Sequence, residues 1–284
     1  MAADGRSTLN ARLENKTPIK MFKKDFSGLT LFQFQNLASQ TGISHFVSSR
    51  SGGVSNGDTG ELNLSFRVED KPENVKENRR KLAQALQVRP ELLFFPAQTH
   101  SCNIKLVKAE TKQEDLEDTD ALITDTPGIC IAVMSADCVP ILLYDTKNRV
   151  GAAIHAGWRG TVSKIAAKTI VMMQEKFSTM PENILAGIGP SICREAYEVG
   201  EDVIAEVENS YSSTGDILFS SLIPGKAYLD LWNANKLQLI DSGIPENSVE
   251  VSEICTFKNS DLFFSARKSK NKTGRFAAGI IIHS

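Results

Sequence analysis

The side chains in this sequence best suited to chemistry are four histidines, His45, His100, His155 and His283, and five cysteines, Cys102, Cys130, Cys138, Cys193 and Cys255. Three of them sit in polar loops beside apolar runs. His100 lies in Gln98-Thr99-His100-Ser101, Cys138 in Ser135-Ala136-Asp137-Cys138-Val139-Pro140, and His155 opens His155-Ala156-Gly157-Trp158-Arg159-Gly160. Loops at the ends of buried strands are held rigidly and often carry ligands. Two imidazoles and one thiolate suit zinc, with the fourth tetrahedral position open to water whose pKa the ion lowers to about 7. Asp137 is a candidate to orient one ligand from behind. Spacing alone leaves a structural reading open, because 38 and 17 residues separate the three. Four histidines fall short of the many imidazoles of a multicopper oxidase.

A second constellation is Ser48-Ser49-Arg50-Ser51-Gly52-Gly53-Val54-Ser55 after an apolar run. Two glycines let backbone N–H groups turn toward a ligand, and the Arg50 fork suits phosphate or carboxylate. No Gly-Lys-Ser/Thr follows and no GxGxxG is present, so a tight turn with a surface arginine is the other reading. Arg159 stands where a helix N-terminus near Thr161 would favour an anion. Trp158 beside it is either a base-stacking ring or a core anchor.

These residues need a frame. Alternation predicts strands over 29–34 and 45–48, and near-continuous apolar runs predict strands covered on both faces over 129–134, 141–144 and 150–154. Shorter strands are expected at 104–107 and 184–188, and a last one over 275–282. Helical spacing is expected over 72–87, 161–177, 202–208 and 229–240, the last closed by Gly243. The acidic stretch 108–120 reads as a solvated loop. Strands and helices mix without a strict βαβ beat, so the fold class is α+β. Residues 1–24 read as a flexible tail, and 25–284 as one catalytic domain. A chain of 284 residues buries roughly three quarters of its unfolded surface, enough to need no staple.

Net charge −2 excludes a globally basic nucleic-acid binder, and no apolar run is long enough to span a membrane. The odd number of cysteines at irregular spacing, with no CxxC and no secretory signal, points to free thiols in a reducing, cytoplasmic setting. Nothing indicates an obligate protein partner.

The strings SSRSGGVS, ELNLSFRV, QTHS, DALITDTPGI, SADCVPILLYD, AAIHAGWRGT, GIGPSI, YEVG and FFSARKSKNKTGR, in this order, resemble the YfiH-like family throughout residues 29–282. Its members have long been called "laccase-domain" or multi-copper polyphenol oxidoreductase proteins. The resemblance implies a single-domain, four-layer α/β/β/α sandwich with mixed sheets. It implies one zinc ion held by His100, Cys138 and His155, which are then also catalytic. It implies phosphorolysis of adenosine, inosine, guanosine and methylthioadenosine to free base and ribose 1-phosphate, with adenosine deamination as a second activity. The partners are then purine nucleosides and phosphate, without nucleic acid or membrane.

Deamination needs a hydroxide at C6 of adenine, and phosphorolysis needs cationic donors on a phosphate beneath C1′. Arg50 and Arg159 are the expected phosphate contacts, and Asn63 and His45 the expected ribose or base contacts. The rival reading is a Cys–His hydrolase with Cys138 as nucleophile, an amidase on a peptidoglycan precursor. A copper phenol oxidase and a binding protein with a structural zinc remain further alternatives.

Overall fold

A computed structural model describes residues 20–284. Its elements run β1 (Phe22–Phe26), β2 (Leu29–Gln33), α1 (Gln35–Ala38), β3 (Ile43–Ser48), α2 (Pro72–Ala85), β4 (Leu93–Phe94), β5 (Ile104–Leu106), β6 (Ala121–Thr124), β7 (Cys130–Ser135), β8 (Val139–Asp145) and β9 (Val150–Ala156). They continue α3 (Trp158–Val162), α4 (Ile165–Phe177), β10 (Ile184–Ile188), β11 (Glu198–Val199), α5 (Glu201–Ser210), β12 (Leu218–Ser220), β13 (Ala227–Leu229), α6 (Leu231–Asp241), β14 (Val249–Val251) and β15 (Phe276–Ile282).

The fold is organised by strands that are apolar on both faces. Every residue of β7, β8, β9 and β15 is buried. Successive side chains point to opposite faces, so each such strand feeds two cores. Ile131 and Val133 of β7, with Phe276, Ala278 and Ile280 of β15, face a central core that includes Leu142, Tyr144 and Ala153 of the second sheet. Their neighbours Cys130, Ala132 and Ile281 face outward and pack with Leu82 and Ala83 of α2. On the far side, Ile141, Leu143, Ala152 and Ile154 pack with Ile165, Ile170 and Met173 of α4 and Leu239 of α6. The result is α2, sheet, sheet, and a layer of α3–α6: the four-layer α+β sandwich expected from the resemblance.

Both large sheets are mixed. The first runs β1-β2-β3-β15-β7-β4 and the second β14-β10-β8-β9-β6-β5, and β11-β13-β12 form a small third. Parallel pairs occur at β4/β7, β5/β6 and β10/β14. The sheet-forming runs were legible because burial on both faces leaves continuous hydrophobicity.

Three local expectations change. The helix expected over 161–177 is two helices, because Lys164 takes a left-handed backbone at φ 60° between α3 and α4. The segment 108–120 is not uniformly solvated: Leu116, Thr119 and Asp120 are buried. The expected tail overlaps β1 from Phe22 onward. Ser27 (φ 49°) and Gly28 (φ 84°) form a two-residue turn that pairs this exposed strand with β2. Residues 1–19, which carry the rest of that expectation, lie outside the described residues.

Candidate functional site

Asp120 organises the site. It sits just before β6, fully buried, and its carboxylate accepts from the N–H groups of Thr99 (3.1 Å), His100 (3.2 Å) and Ser101 (2.8 Å) and from the Ser101 hydroxyl (2.8 Å). These bonds hold the His100 loop, where His100 itself takes a left-handed φ of 64°. The same carboxylate lies 2.7 Å from Nδ1 of His155, in β9. The His155 N–H also donates to the Asp120 carbonyl at 2.8 Å. One carboxylate thus fixes the His155 imidazole and the backbone of His100, and leaves Nε2 of His155 free to act as a ligand. Burial alone would raise the Asp120 pKa, but its bonds to His155, Thr99 and Ser101 hold it down at about 2.

Cys138 follows the tight turn between β7 and β8. Asp137 there adopts φ 87°, and Ser135 Oγ donates to the Cys138 carbonyl at 2.5 Å. Asp137 does not orient a ligand, as its position in the sequence suggested. Its carboxylate accepts from Thr256 Oγ1 (2.6 Å) and the Arg267 N–H (2.6 Å), tying the turn to the segment before β15. Cys138 Sγ comes to 3.7 Å from His100 Nε2, and the two histidine rings meet edge-on with centroids 5.0 Å apart.

Ligand atoms of His100, Cys138 and His155 all lie within 4.8 Å of one another, the one such group of three or more His, Cys, Asp or Glu among the described residues. Gly157 is the reason they can close up: a Cβ there would stand 2.9 Å from His100 Cδ2 and 3.0 Å from Cys138 Sγ. Burial pushes the Cys138 thiol up, but His155 and His100 more than offset this and bring it down to about 6. Burial likewise lowers His155, and Cys138 with Asp120 raises it to about 9. The donor set of two imidazole nitrogens and one easily ionised thiolate, with one imidazole fixed by a buried carboxylate, fits a metal ion.

The triad opens onto a cavity of about 540 Å³. Its walls are cationic, with Arg67, Arg267, Lys270 and Arg275. Asp137 also lines it, with both carboxylate oxygens already bonded. Arg275 is half-buried and close enough to feel the charges of Cys138 and Asp137. Tyr197 also lines the wall, and burial raises its pKa, so its hydroxyl stays protonated.

The expected substrate contacts fare differently from the triad. Arg50 does not line this cavity. Its guanidinium donates to the Gly60 carbonyl (3.1 and 2.7 Å) and the Ser260 carbonyl (2.7 Å) and lies over the Phe264 ring, so it fixes loops. His45 is buried in β3, where Nε2 accepts from the Phe34 N–H at 2.8 Å and the ring stacks on Phe34. Asn63 is fully buried and bonded through both ends of its amide; Oδ1 accepts from the Arg275 N–H at 3.0 Å. Arg159 is exposed at the start of α3, its guanidinium over the Trp158 ring, and is absent from the cavity wall. The sequence reading missed Asp120 and the cations Arg67, Arg267, Lys270 and Arg275. Asp120 opens the string DALITDTPGI, and Arg275 closes FFSARKSKNKTGR.

Comparison with known proteins agrees with this architecture. The chain is 40% identical over 257 residues to a purine nucleoside phosphorylase of Bacteroides thetaiotaomicron, covering 88% of this chain and 95% of that protein. It is 37% identical over 226 residues to adenosine deaminase RL5 from an unknown prokaryotic organism, covering 77% and 86%. The crystal structure of Bacillus licheniformis hypothetical protein YfiH superposes with a TM-score of 0.85 at 30% identity, covering 92% of this chain and 98% of that one. Residues 44–283 match the family model described as multi-copper polyphenol oxidoreductase laccase, and the chain belongs to that family.

Proposed function

We propose that the protein is a metal-dependent enzyme of purine nucleosides, cleaving them with phosphate and also deaminating adenosine. The observation that carries this is the placement of the His100–Cys138–His155 group in the wall of a cavity lined by four cations. That combination suits a neutral nucleoside together with an anionic co-substrate. The names of the relatives from Bacteroides thetaiotaomicron and of RL5 support the same two activities. They speak against the amidase reading and against a phenol oxidase, despite the copper in the family's description.

His100, Cys138 and His155 would hold the ion, and their N₂S set favours zinc with one position left open. When bound, zinc supplies Lewis-acid activation of water or of a substrate oxygen. The remaining steps fall to the chain. Asp120 keeps His155 in the tautomer with Nε2 as the ligand. The cationic wall draws phosphate in and stabilises charge as the glycosidic bond breaks. Tyr197, protonated at neutral pH, can donate to the purine.

All five cysteines are free and no described helix is long and apolar enough to cross a membrane. The free thiols support work in a reducing compartment such as the cytoplasm. The deciding experiment incubates purified protein with adenosine, with and without phosphate, and resolves the products. Adenine plus ribose 1-phosphate in the phosphate arm and inosine in the other support the reading; unreacted adenosine in both would refute it.

A further inference from the structure

Beside the metal cavity lies a second one of about 380 Å³. Four residues border both: Arg67, Val68, Asn271 and Arg275. The second cavity adds Asp58 and Glu69 against Lys272, so its own charge is close to balanced. The first cavity is strongly cationic. An anion is therefore best placed at the shared border, where two guanidinium groups are available.

Arg275 is built for this position. Its backbone is pinned, since its N–H donates to the buried Asn63 Oδ1 at 3.0 Å and its carbonyl accepts from the Leu64 N–H at 3.1 Å. Nη1 donates to the carbonyls of Thr273 and Gly274, both at 3.0 Å, which sets the plane of the guanidinium. Nε and Nη2 have no partner among the described residues, so one edge of the fork remains for a ligand. Arg67 is placed less firmly, with Nη1 on the Gln98 carbonyl (3.0 Å) and Nη2 on Glu117 (3.2 Å). Thr273, in the wall of the second cavity, keeps a buried hydroxyl with no hydrogen-bond partner. A buried donor left unpaired calls for an acceptor. Close backbone packing holds the turn: a Cβ on Gly274 would stand 2.7 Å from Phe264 Cζ and 3.0 Å from Asn63 Cβ.

We propose that inorganic phosphate binds at the border of the two cavities on the free edge of Arg275, assisted by Arg67 and the Thr273 hydroxyl. The nucleoside then lies between this anion and the metal group, its base toward His100, Cys138 and His155. Asn63 is a positioning residue: it touches no substrate and fixes the backbone of Arg275. The idea rests on the phosphorolysis reading above, but phosphate binding can be measured without turnover.

The test uses the metal-loaded full chain and variants Arg275→Gln, Arg275→Lys and Arg67→Gln. Two quantities are read: the KM for phosphate with inosine as substrate, and the rise in Tm on adding inorganic phosphate without nucleoside. Arg275→Gln should raise the phosphate KM at least tenfold, more than it changes the KM for inosine, and should abolish the rise in Tm. Arg275→Lys should recover part of both, because it keeps the charge but loses the fork. Arg67→Gln should give a smaller loss of the same kind. A phosphate KM within twofold of the wild type in Arg275→Gln and Arg275→Lys, with the Tm response intact, would overturn the assignment. If the wild type makes no ribose 1-phosphate, the functional reading fails. The Tm arm still decides the site: a response lost in Arg275→Gln supports it, and one that is absent in the wild type or kept in the variant overturns it.

Discussion

Asp120 Oδ1 and His155 Nδ1 stand 2.7 Å apart, with Asp120 fully buried and His155 nearly so, and the same carboxylate accepts the N–H groups of Thr99, His100 and Ser101. Two members of the His–Cys–His group that are 55 residues apart in the sequence thus share one anchor. Asp120→Asn should lower metal affinity about 10- to 100-fold, the usual cost of removing a partner behind a ligating histidine. Chelator competition measures it. Affinity equal to the wild type would show that the carboxylate does not orient His155.

Gly157→Ala isolates the packing of the same group. The added methyl would meet His100 Cδ2 and Cys138 Sγ at 2.9 and 3.0 Å, both inside normal contact. The variant should fold, since the sheets are packed elsewhere, but bind metal weakly. Circular dichroism together with metal content checks this, and full occupancy at ordinary chelator concentrations would count against the geometry.

Arg50 is expected to matter for stability, not turnover. Its three hydrogen bonds join the carbonyls of Gly60 and Ser260. Arg50→Ala leaves those acceptors unpaired at a cost of about 3 kcal/mol. Denaturant melts should show the loss, while kcat/KM, measured well below the Tm, stays within a few-fold. A hundredfold fall in phosphorolysis with unchanged stability would return Arg50 to the site.

His45 makes stability pH-dependent. Burial, helped by Lys24, lowers its pKa from 6.5 to about 3. Below pH 6.5 the unfolded chain takes up a proton that the folded chain refuses. Stability from this group is therefore full above pH 6.5 and declines as pH falls toward 3, by at most about 1.4 kcal/mol per pH unit. His45→Gln keeps an acceptor for the Phe34 N–H and cannot be protonated. Its stability should fall less steeply than the wild type's between pH 6 and 4, and identical slopes would contradict the assignment.

The two sheets were legible because β7, β8, β9 and β15 are continuous apolar runs, a pattern that burial on both faces requires. The members of the His100–Cys138–His155 group stand out in the sequence as soft donors at the ends of apolar runs, and the fold brings them together. Asp120 was not, because an acidic residue closing an acidic segment looks solvated until the His155 ring is placed against it. Asp137, adjacent to Cys138 in sequence, is the more obvious partner by position, yet its left-handed backbone turns it toward Thr256 and Arg267. Arg50 illustrates a related point. Arginine beside two glycines suits an anion, and only the fold reveals that backbone carbonyls already occupy the guanidinium.

The central claim is that Cys138 is a metal ligand and not a free nucleophile. Zinc per chain, measured beside adenosine turnover in wild type, His100→Ala, Cys138→Ser and His155→Ala, tests it most directly. The account predicts close to one zinc in the wild type and a large loss of both zinc and turnover in all three variants. Hydroxyl replaces thiolate in Cys138→Ser, and a neutral oxygen is a poor zinc ligand. Full zinc occupancy in Cys138→Ser, or a zinc-free wild type that still turns over adenosine, would contradict it.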